Sequence, residues 1–478
     1  MSRSEQAVVL GAGIAGLLAA RALTDTHDHV TIIERDRLPD GADIDGAGAR
    51  RGVPQGAHAH MLMPRGAAAV ELLLPGLLDE LTRTGAVRVE PLVDLRAIIG
   101  GRRLLQTPIG GTAVQASRPF LERHVRERVR GLPGVELIDE CDAVGLFTDE
   151  SASRVTGVRV LHRAPSSAAE SIPAALVVDA TGRGSRVPAW LTALGFERPA
   201  EDRPPVDVGY ASCLLRVPPG ADVEASVMVG PVAGHARGMA FVAVEGGQRL
   251  LTLFGIGRAN HPPVDVEGFL AFAAAVAPPD VAAVIRAAVI NTAGPPSGIA
   301  RFRYPAYQRR HYGRLRRLPD GLLVAGDALC SFNPIYAQGM TVAAVEALEL
   351  RRCLAAGRSG LAHRYFTAVD RVVRPAWRMG LDSDLALPEV TGNRWFGTRL
   401  SNAYTARLLA RAEHDPVVAR QVGRVLGLLD APTTLARPAI LRRALPAGGR
   451  LSGRIFGRIF GRSSTGPPTT TGVGRMSS

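Results

Sequence analysis

The 478-residue sequence contains no lysine, and all 57 of its strongly basic residues are arginines. Chemistry that depends on a lysine amine is therefore excluded. The arginines give the chain a formal net charge of +13, which favours anionic partners in general. They are spread along the chain rather than clustered, except near the C-terminus, and we expect no nucleic-acid partner.

Cysteine is also scarce, and long apolar runs are absent. The four cysteines form no CxxC pair and no zinc-like spacing, so we expect reduced, buried thiols and no metal site. No apolar run reaches the roughly 18–20 residues that span a bilayer. The segment MSRSEQ leads directly into a strand, without a secretory segment. We therefore expect a cytoplasmic protein without a transmembrane segment.

The first 34 residues have the pattern of a βαβ unit. A buried strand, Ala7–Leu10, is followed by GAGIAGLLAARAL, which predicts a turn and a helix, and by a second buried strand, Val30–Glu34. Gly11–Gly16 is a GxGxxG motif placed between strand and helix, and Glu34 ends the next strand about 20 residues later. A glycine-rich turn without a ligand is the alternative, but this context favours a dinucleotide site.

Each residue of this motif has a physical role in such a site. Gly11 permits the tight turn, Gly13 lets the backbone approach a pyrophosphate, and Gly16 lets the helix pack on the strand. The pyrophosphate would lie at the helix N-terminus, where backbone donors and the helix dipole favour negative charge. Glu34 would accept hydrogen bonds from the adenosine ribose.

A second motif covers Gly321–Met340, with the sequence GLLVAGDALCSFNPIYAQGM. A buried strand ends at Gly326-Asp327, Pro334 follows, and Gln338-Gly339-Met340 begins a helix. This segment resembles the second FAD fingerprint of the para-hydroxybenzoate hydroxylase-like flavoproteins. The resemblance implies that Asp327 binds the ribityl chain and that the helix N-terminus points at the N1–C2 carbonyl edge of the flavin. An ordinary Asx turn is the alternative for Asp327.

Two further segments resemble the same family. Val177–Arg186, VVDATGRGSR, is similar to its middle fingerprint, but Thr181 stands where many aromatic hydroxylases have a second aspartate. This departure argues against a simple aromatic hydroxylase. Arg118, at the start of a predicted helix over Arg118–Val129, resembles the flavin-contacting arginine of the family. A solvated helix residue is the alternative for Arg118.

The segment Arg51–His60, RGVPQGAHAH, narrows the resemblance. Together with DATGRGS and NPIYAQGM, it is similar to the flavin epoxidases of polyether biosynthesis, of the lasalocid and monensin type. The resemblance covers most of the chain up to about Arg443. It implies that His58 and His60 lie near the isoalloxazine ring and position flavin or substrate. Hydrogen-bonded structural loop residues are the alternative for both histidines.

The resemblance implies an FAD-dependent monooxygenase of secondary metabolism. Such an enzyme uses NAD(P)H and O2, through a flavin C4a-hydroperoxide, to epoxidise or hydroxylate an apolar polyketide, terpenoid or aromatic substrate. We see no second dinucleotide fingerprint, so NAD(P)H would bind transiently or a separate flavin reductase would supply the electrons.

Two other flavin-dependent reactions compete with oxygen insertion as explanations of these motifs. A reductase of isoprenoid-type C=C bonds is the alternative, whereas a flavin halogenase is disfavoured because it needs a lysine. The GD…QGM element of the second motif argues against a flavin-free NAD(P) dehydrogenase or a non-enzymatic binder.

The predicted fold is α/β, with a Rossmann-like (GR2-type) FAD-binding domain, an inserted mixed β-sheet substrate domain and a helical C-terminal region. The FAD-binding domain comprises 1–85, 115–195 and 304–360, the substrate domain 86–114 and 196–303, the helical region 361–450 and a disordered tail 451–478. Predicted helices include Ala67–Leu81, Gly339–Cys353, one Ala-rich helix near Phe269–Val276 and one that begins at Asp415-Pro416. The residues assigned to the cofactor are Gly11, Ala12, Gly13, Gly16, Glu34, Arg35, Arg51, Arg118, Asp327, Pro334, Gly339 and Met340.

Overall fold

The computed structural model describes residues 5–39, 50–164, 166–217, 223–291, 298–394 and 396–445. The tail that we predict to be disordered, 451–478, lies outside these residues. In chain order the strands are β1 (Gln6–Leu10), β2 (His29–Ile33), β3 (Met61–Leu62), β4 (Val87–Val89), β5 (Leu95–Ile99), β6 (Arg102–Arg103), β7 (Ala113–Gln115), β8 (Val135–Ile138), β9 (Cys141–Thr148), β10 (Val155–His162), β11 (Glu170–Pro173), β12 (Leu176–Asp179), β13 (Glu201–Asp202), β14 (Pro205–Arg216), β15 (Ser226–Val229), β16 (Arg237–Ala243), β17 (Gln248–Ile256), β18 (Ala300–Ala306), β19 (Gln308–Arg310), β20 (Leu322–Val324) and β21 (Cys330–Ser331). The helices are α1 (Ile14–Leu23), α2 (Pro64–Leu73), α3 (Leu77–Arg83), α4 (Arg118–Arg130), α5 (Val187–Ala193), α6 (Val266–Val276), α7 (Pro279–Asn291), α8 (Gly339–Ala355), α9 (Leu361–Asp384), α10 (Phe396–Ala412), α11 (Pro416–Leu426) and α12 (Pro438–Ala444).

A five-stranded parallel sheet, in the order β20-β12-β1-β2-β8, forms the first layer of the fold. Its central strands are continuous apolar runs buried on both faces, as a sheet covered by helices requires. Helices α1 and α8 pack against each other, and α1 also contacts α4. The Rossmann-like α/β fold is thus confirmed, and α4 and α8 match their predicted bounds within two residues.

A seven-stranded mixed sheet, in the order β18-β14-β17-β16-β15-β5-β6, forms the second layer. Its strands pair antiparallel except for β15 with β5. Because side chains alternate along a strand, Ala211, Cys213 and Leu215 of β14 pack on one face against α6 and α7. Tyr210 and Ser212 point to the opposite face.

The structure differs from the predicted helices in two places. The Ala-rich helix near Phe269–Val276 is confirmed as α6, but a second helix that was not predicted, α7, follows it and packs on the same face of the sheet. The helix predicted over Ala67–Leu81 is broken into α2 and α3. Pro75 lacks a backbone donor, and Gly76 takes a φ of +81°, so the helix ends there and restarts.

The C-terminal region is helical, as predicted. Asp415 caps α11 by accepting hydrogen bonds from the backbone N–H groups of Val417 and Val418, and Pro416 occupies the first turn. Helices α10 to α12 pack with β5 and the small β3-β7-β4 sheet. None of the helices in the described ranges is long and apolar enough to cross a membrane. The four cysteines are buried and unpaired.

Candidate functional site

Three turns meet at one edge of the parallel sheet. The strands β1, β12 and β20 are neighbours and run in the same direction, so the turns that follow them lie side by side. These turns are Gly11–Gly16, Ala180–Gly184 and Gly326-Asp327. All three contribute to the wall of a cavity of about 690 Å³ that extends to the seven-stranded sheet.

The GxGxxG turn has the backbone geometry that the sequence predicts. Gly11 has a φ of +97°, and a Cβ atom there would lie 2.7 Å from the carbonyl oxygen of Ala180. A Cβ at Gly16 would collide with the carbonyl oxygen of Gly11. Gly13 is the N-cap of α1 and offers no side-chain cap, and a Cβ there would meet only an Arg50 nitrogen at 3.9 Å. The N-terminus of α1 therefore opens directly on the cavity.

Glu34 connects this turn to an arginine that the sequence analysis missed. Its Oε2 accepts the backbone N–H of Ala12 at 2.8 Å and lies 3.1 Å from Nη1 of Arg50. Arg50 also pairs with Glu122 at 2.6 Å and with Asp36 at 3.3 Å. Burial alone would lower the pKa of Arg50, but the three carboxylates together raise it. Its position directly before the RGVPQGAHAH segment is the only signal that could have identified it.

The N-terminus of the 17-residue helix α8 opens on the same cavity. Gln338 is its N-cap without a side-chain hydrogen bond, and both polar atoms of the Gln338 amide are buried without a partner among the described residues. Asp327 lies in the wall nearby. Burial raises the pKa of the Asp327 carboxyl, while Arg183 and Arg118 act in the opposite direction.

Buried carboxylates support the two turns that follow β12 and β20. Glu346 of α8 accepts the backbone N–H of Gly326 at 2.7 Å, and burial raises the Glu346 pKa to about 8. Asp179 accepts the backbone N–H of Thr181 at 3.0 Å and the hydroxyl of Ser185 at 2.5 Å. The DATGRGS turn is therefore closed by its own aspartate, which does not itself line the cavity.

The two predicted histidines lie where the parallel-sheet side of the cavity meets the seven-stranded sheet. His58 Nδ1 is 2.6 Å from the Ser212 hydroxyl, which is 2.7 Å from the Thr252 hydroxyl. The backbone N–H of Ala59 donates to Thr252 at 2.8 Å, and His60 Nδ1 is 2.8 Å from the carbonyl oxygen of His58. Burial lowers the pKa of His58 to about 4 and that of His60 to about 3, so both rings are neutral near pH 7.

The sheet side of the cavity is apolar and aromatic. The ring centroid of Tyr210 lies 5.6 Å from that of His58, 5.8 Å from Phe302 and 6.2 Å from Phe254. Met228, Ala240 and Val242 of the same sheet complete this wall. The strands β14, β16 and β17 therefore share a sheet that faces the cavity.

A hydrogen-bond network supports the aromatic wall from behind. The Tyr210 hydroxyl donates to Oδ1 of Asn333 at 3.1 Å, and the Asn333 amide donates to Asp384 at 3.0 Å. Tyr307 and Tyr336 also donate to Asp384, each at 2.6 Å. Burial raises the pKa of Asp384 to about 6, although these donors oppose the shift. Nothing in the local sequence around Asp384 distinguishes it from an ordinary helix-end acid.

The structure brings most of the predicted site residues together. The wall of the cavity includes Gly11, Gly13, Glu34, Arg35, Arg51, His58, His60, Arg118, Asp327, Pro334, Gly339 and Met340. Ala12 and Gly16 do not line it, because the first only donates its N–H to Glu34 and the second packs against the turn. Arg183 also lines the cavity and was not predicted from the sequence; it donates a hydrogen bond to the Ser331 hydroxyl at 2.9 Å and lies over the Tyr304 ring at 4.6 Å.

Sequence comparison finds a relative that matches this chain over most of its length. No protein-family model matches the sequence. The chain is 36% identical over 466 residues to Protein Rv3254 of Mycobacterium tuberculosis (strain ATCC 25618 / H37Rv), and the match covers 94% of each chain.

Solved structures share the fold at low sequence identity. A flavoprotein/dehydrogenase from Cytophaga hutchinsonii has a TM-score of 0.65 at 13% identity, covering 92% of this chain and 96% of its own. The p-nitrophenol 4-monooxygenase PnpA from Pseudomonas putida DLL-E4 has a TM-score of 0.60 at 16% identity, covering 90% and 99%. PqsL, a probable FAD-dependent monooxygenase from Pseudomonas aeruginosa, has a TM-score of 0.58 at 20% identity, covering 88% and 99%.

Proposed function

The chain belongs to the same family as Protein Rv3254 of Mycobacterium tuberculosis, and we propose that it is an FAD-dependent monooxygenase. One observation carries the proposal: two helix N-termini without side-chain caps, those of α1 and α8, open on a single large cavity. Each terminus offers unpaired backbone donors and the positive end of a helix dipole. A ligand with negative charge at two separated places, such as a diphosphate and a reduced flavin ring, matches this arrangement.

The residues of the cavity fit FAD on further grounds. The space in front of Gly13 is open, so a diphosphate can approach the backbone. The buried amide of Gln338 has a donor and an acceptor that are unpaired among the described residues. Because buried polar groups in native proteins are nearly always hydrogen-bonded, we propose that the flavin pairs with this amide. Asp327 lies in the wall at the end of β20, where it can accept a hydrogen bond from a ribityl hydroxyl.

We assign the remaining predicted residues to parts of the same cofactor. Glu34 would bind the adenosine ribose, with Arg35 and Arg51 beside it, and Arg118 would contact the flavin. Pro334, Gly339 and Met340 would present the start of α8 to the flavin edge. NAD(P)H would reduce the bound FAD. The reduced FAD would then react with O2, and one oxygen atom of O2 would be transferred to the substrate. The reductant would bind transiently or act through a separate flavin reductase.

The substrate we propose is an apolar polyketide, terpenoid or aromatic compound of secondary metabolism, which is epoxidised or hydroxylated. The aromatic and aliphatic wall on the seven-stranded sheet supports this class. Such a wall would keep water from the reacting atoms and would hold the substrate against the cofactor. His58 and His60 would position flavin or substrate. In this proposal 1–85, 115–195 and 304–360 form the FAD-binding domain, 86–114 and 196–303 the substrate domain, and 361–450 a helical region.

The proposal is tested by a labelling experiment on the purified protein. The preparation should be yellow and should oxidise NAD(P)H, directly or with an added flavin reductase. With isotopically labelled dioxygen and an apolar olefin, the product should carry one labelled oxygen atom. A colourless protein that takes up no flavin contradicts the proposal. Saturation of a C=C bond without oxygen uptake would instead establish a reductase.

A further inference from the structure

The hydrogen position on His60 follows from a single contact. His60 Nδ1 lies 2.8 Å from the backbone carbonyl oxygen of His58. A carbonyl oxygen can only accept, so the Nδ1 atom of His60 carries the hydrogen. Burial and the nearby charge of Arg118 lower the His60 pKa to about 3, so the ring is neutral near pH 7. The Nε2 atom of a neutral ring with hydrogen on Nδ1 has a free lone pair.

His60, which carries this lone pair on Nε2, is one of the residues that line the cavity. Among the described residues, Nε2 of His60 has no hydrogen-bond partner, and it is not enclosed by protein as Nε2 of His58 is. The arginines of the same wall, such as Arg51, Arg118 and Arg183, can only donate hydrogen bonds. His60 therefore adds a neutral acceptor to the same wall as the donors of these arginines.

The position of the His60 ring is fixed by the seven-stranded sheet. The segment from His58 to His60 is tied to β14 through Ser212 and to β17 through Thr252. These bonds hold the His58 carbonyl, which in turn orients the His60 ring. Ser212 and Thr252 are thus positioning residues, and His60 is the group that a bound molecule would meet.

We propose that Nε2 of His60 accepts a hydrogen bond from an N–H or O–H group of the molecule held in the cavity. The inference rests on the proposed function, because that function defines which molecules the cavity holds. Two sources supply the same donor chemistry: the imide N–H of the isoalloxazine ring and a hydroxyl group of the substrate. In either case His60 discriminates between a ligand that carries the donor and the same ligand with that position methylated.

The test compares two pairs of probes. In the first arm, apoprotein is titrated with FAD and with its N3-methyl derivative. In the second arm, the FAD-loaded protein is titrated with naphthol and with its methyl ether, and binding is followed by the change in flavin absorption. The wild-type protein should bind the donor-bearing member of one pair about tenfold more tightly than the methylated member. A tenfold difference in affinity corresponds to about 1.4 kcal/mol, which is within the range of a net hydrogen bond. The arm that shows the preference identifies the source of the donor.

Two variants determine whether His60 causes the preference. His60→Phe keeps a planar ring without an acceptor and should abolish the preference. His60→Gln can still present an amide oxygen and should keep part of it. A similar preference in His60→Phe, or no preference by the wild-type protein in either arm, overturns the inference. If the wild-type apoprotein binds neither FAD nor its N3-methyl derivative, both the proposed function and this inference are contradicted. This outcome is distinct from equal binding of the two flavins, which contradicts only the inference.

Discussion

The two sides of the cavity are built in different ways. On the parallel sheet, the residues that face the cavity come from short contiguous segments at strand ends, such as Gly11–Gly16 and Gly326-Asp327. On the seven-stranded sheet, they come from alternate positions of several strands, such as Tyr210, Phe254 and Phe302. The first side is rich in glycine turns and helix termini, and the second consists of side chains that resemble an ordinary core.

This difference follows from what each side would bind. A diphosphate or a reduced flavin requires backbone donors at close range, and only glycines at defined positions permit that approach. An apolar substrate requires shape and exclusion of water, and many combinations of apolar side chains can provide both. A local motif therefore marks the parallel-sheet side, which we call the cofactor side after the proposed function. No motif marks the side on the seven-stranded sheet, which we call the substrate side.

The largest effect is expected at the cofactor side. In Gly13→Val the added side chain points into the open space before α1, so the protein should fold but lose its bound flavin. Flavin absorbance per protein, measured after gel filtration, should fall close to zero. Gly16→Val is the matched control, because its side chain would collide with the Gly11 carbonyl and should prevent folding. A folded Gly13→Val protein with a full complement of flavin would contradict the role given to this turn.

Asp384 offers a pH-dependent test behind the substrate side. Its pKa in the folded protein is raised to about 6, above the unfolded value of about 3.9, so the folded state keeps the proton to a higher pH. The contribution of this group to stability is fully present below about pH 4 and is lost as the pH rises through 6.

Asp384→Asn cannot titrate and isolates this contribution. The unfolding free energy of the wild type relative to Asp384→Asn should fall by about 2 kcal/mol between about pH 4 and pH 7. Urea denaturation of both proteins across this range provides the measurement. If the difference in unfolding free energy between the two proteins does not change with pH, the Asp384 carboxyl of the folded protein is already ionised at pH 4.

Asp327 provides a graded test of the cofactor side. Asp327→Ala removes a carboxylate that we propose accepts a ribityl hydroxyl, and it should weaken FAD binding by about 1–3 kcal/mol, or tenfold to a hundredfold. Fluorescence titration of the apoprotein with FAD measures this loss. Asp327→Asn, which keeps an acceptor oxygen, should lose less. If the affinity of Asp327→Ala equals that of the wild type, Asp327 is only a turn residue.

The smallest effect is expected from Tyr210→Phe. The change removes the hydroxyl that donates to Asn333 at 3.1 Å but keeps the ring in the aromatic wall. Asn333 Oδ1 still accepts the backbone N–H of Ile335 at 3.3 Å, so the stability loss should be about 1 kcal/mol. Thermal unfolding measures that loss. Flavin content should stay at the wild-type level, and a loss of flavin would show that the two sides are not independent.

The fold could be predicted to a large extent from patterns along the chain. Hydrophobic periodicity, together with the glycines and prolines that end each element, predicts the first βαβ unit. The same signals predict the helices that begin at Arg118 and Gly339. The break between α2 and α3 was missed, although Pro75-Gly76 marks it. Helix α7 was missed because its apolar residues become informative only when the sheet face that they cover is known.

The sequence by itself determined the turns on the parallel-sheet side of the cavity, because a single glycine there, such as Gly11 or Gly326, permits a positive φ that sets the backbone conformation locally. Only the tertiary structure decided the rest of the cavity. Arg50 reaches Glu122, 72 residues away, and Asp384 reaches Asn333, 51 residues away. His60 acquires a defined tautomer only because the sheet fixes the carbonyl of His58. Such contacts depend on packing between distant segments, which leaves no periodic or local signal in the sequence.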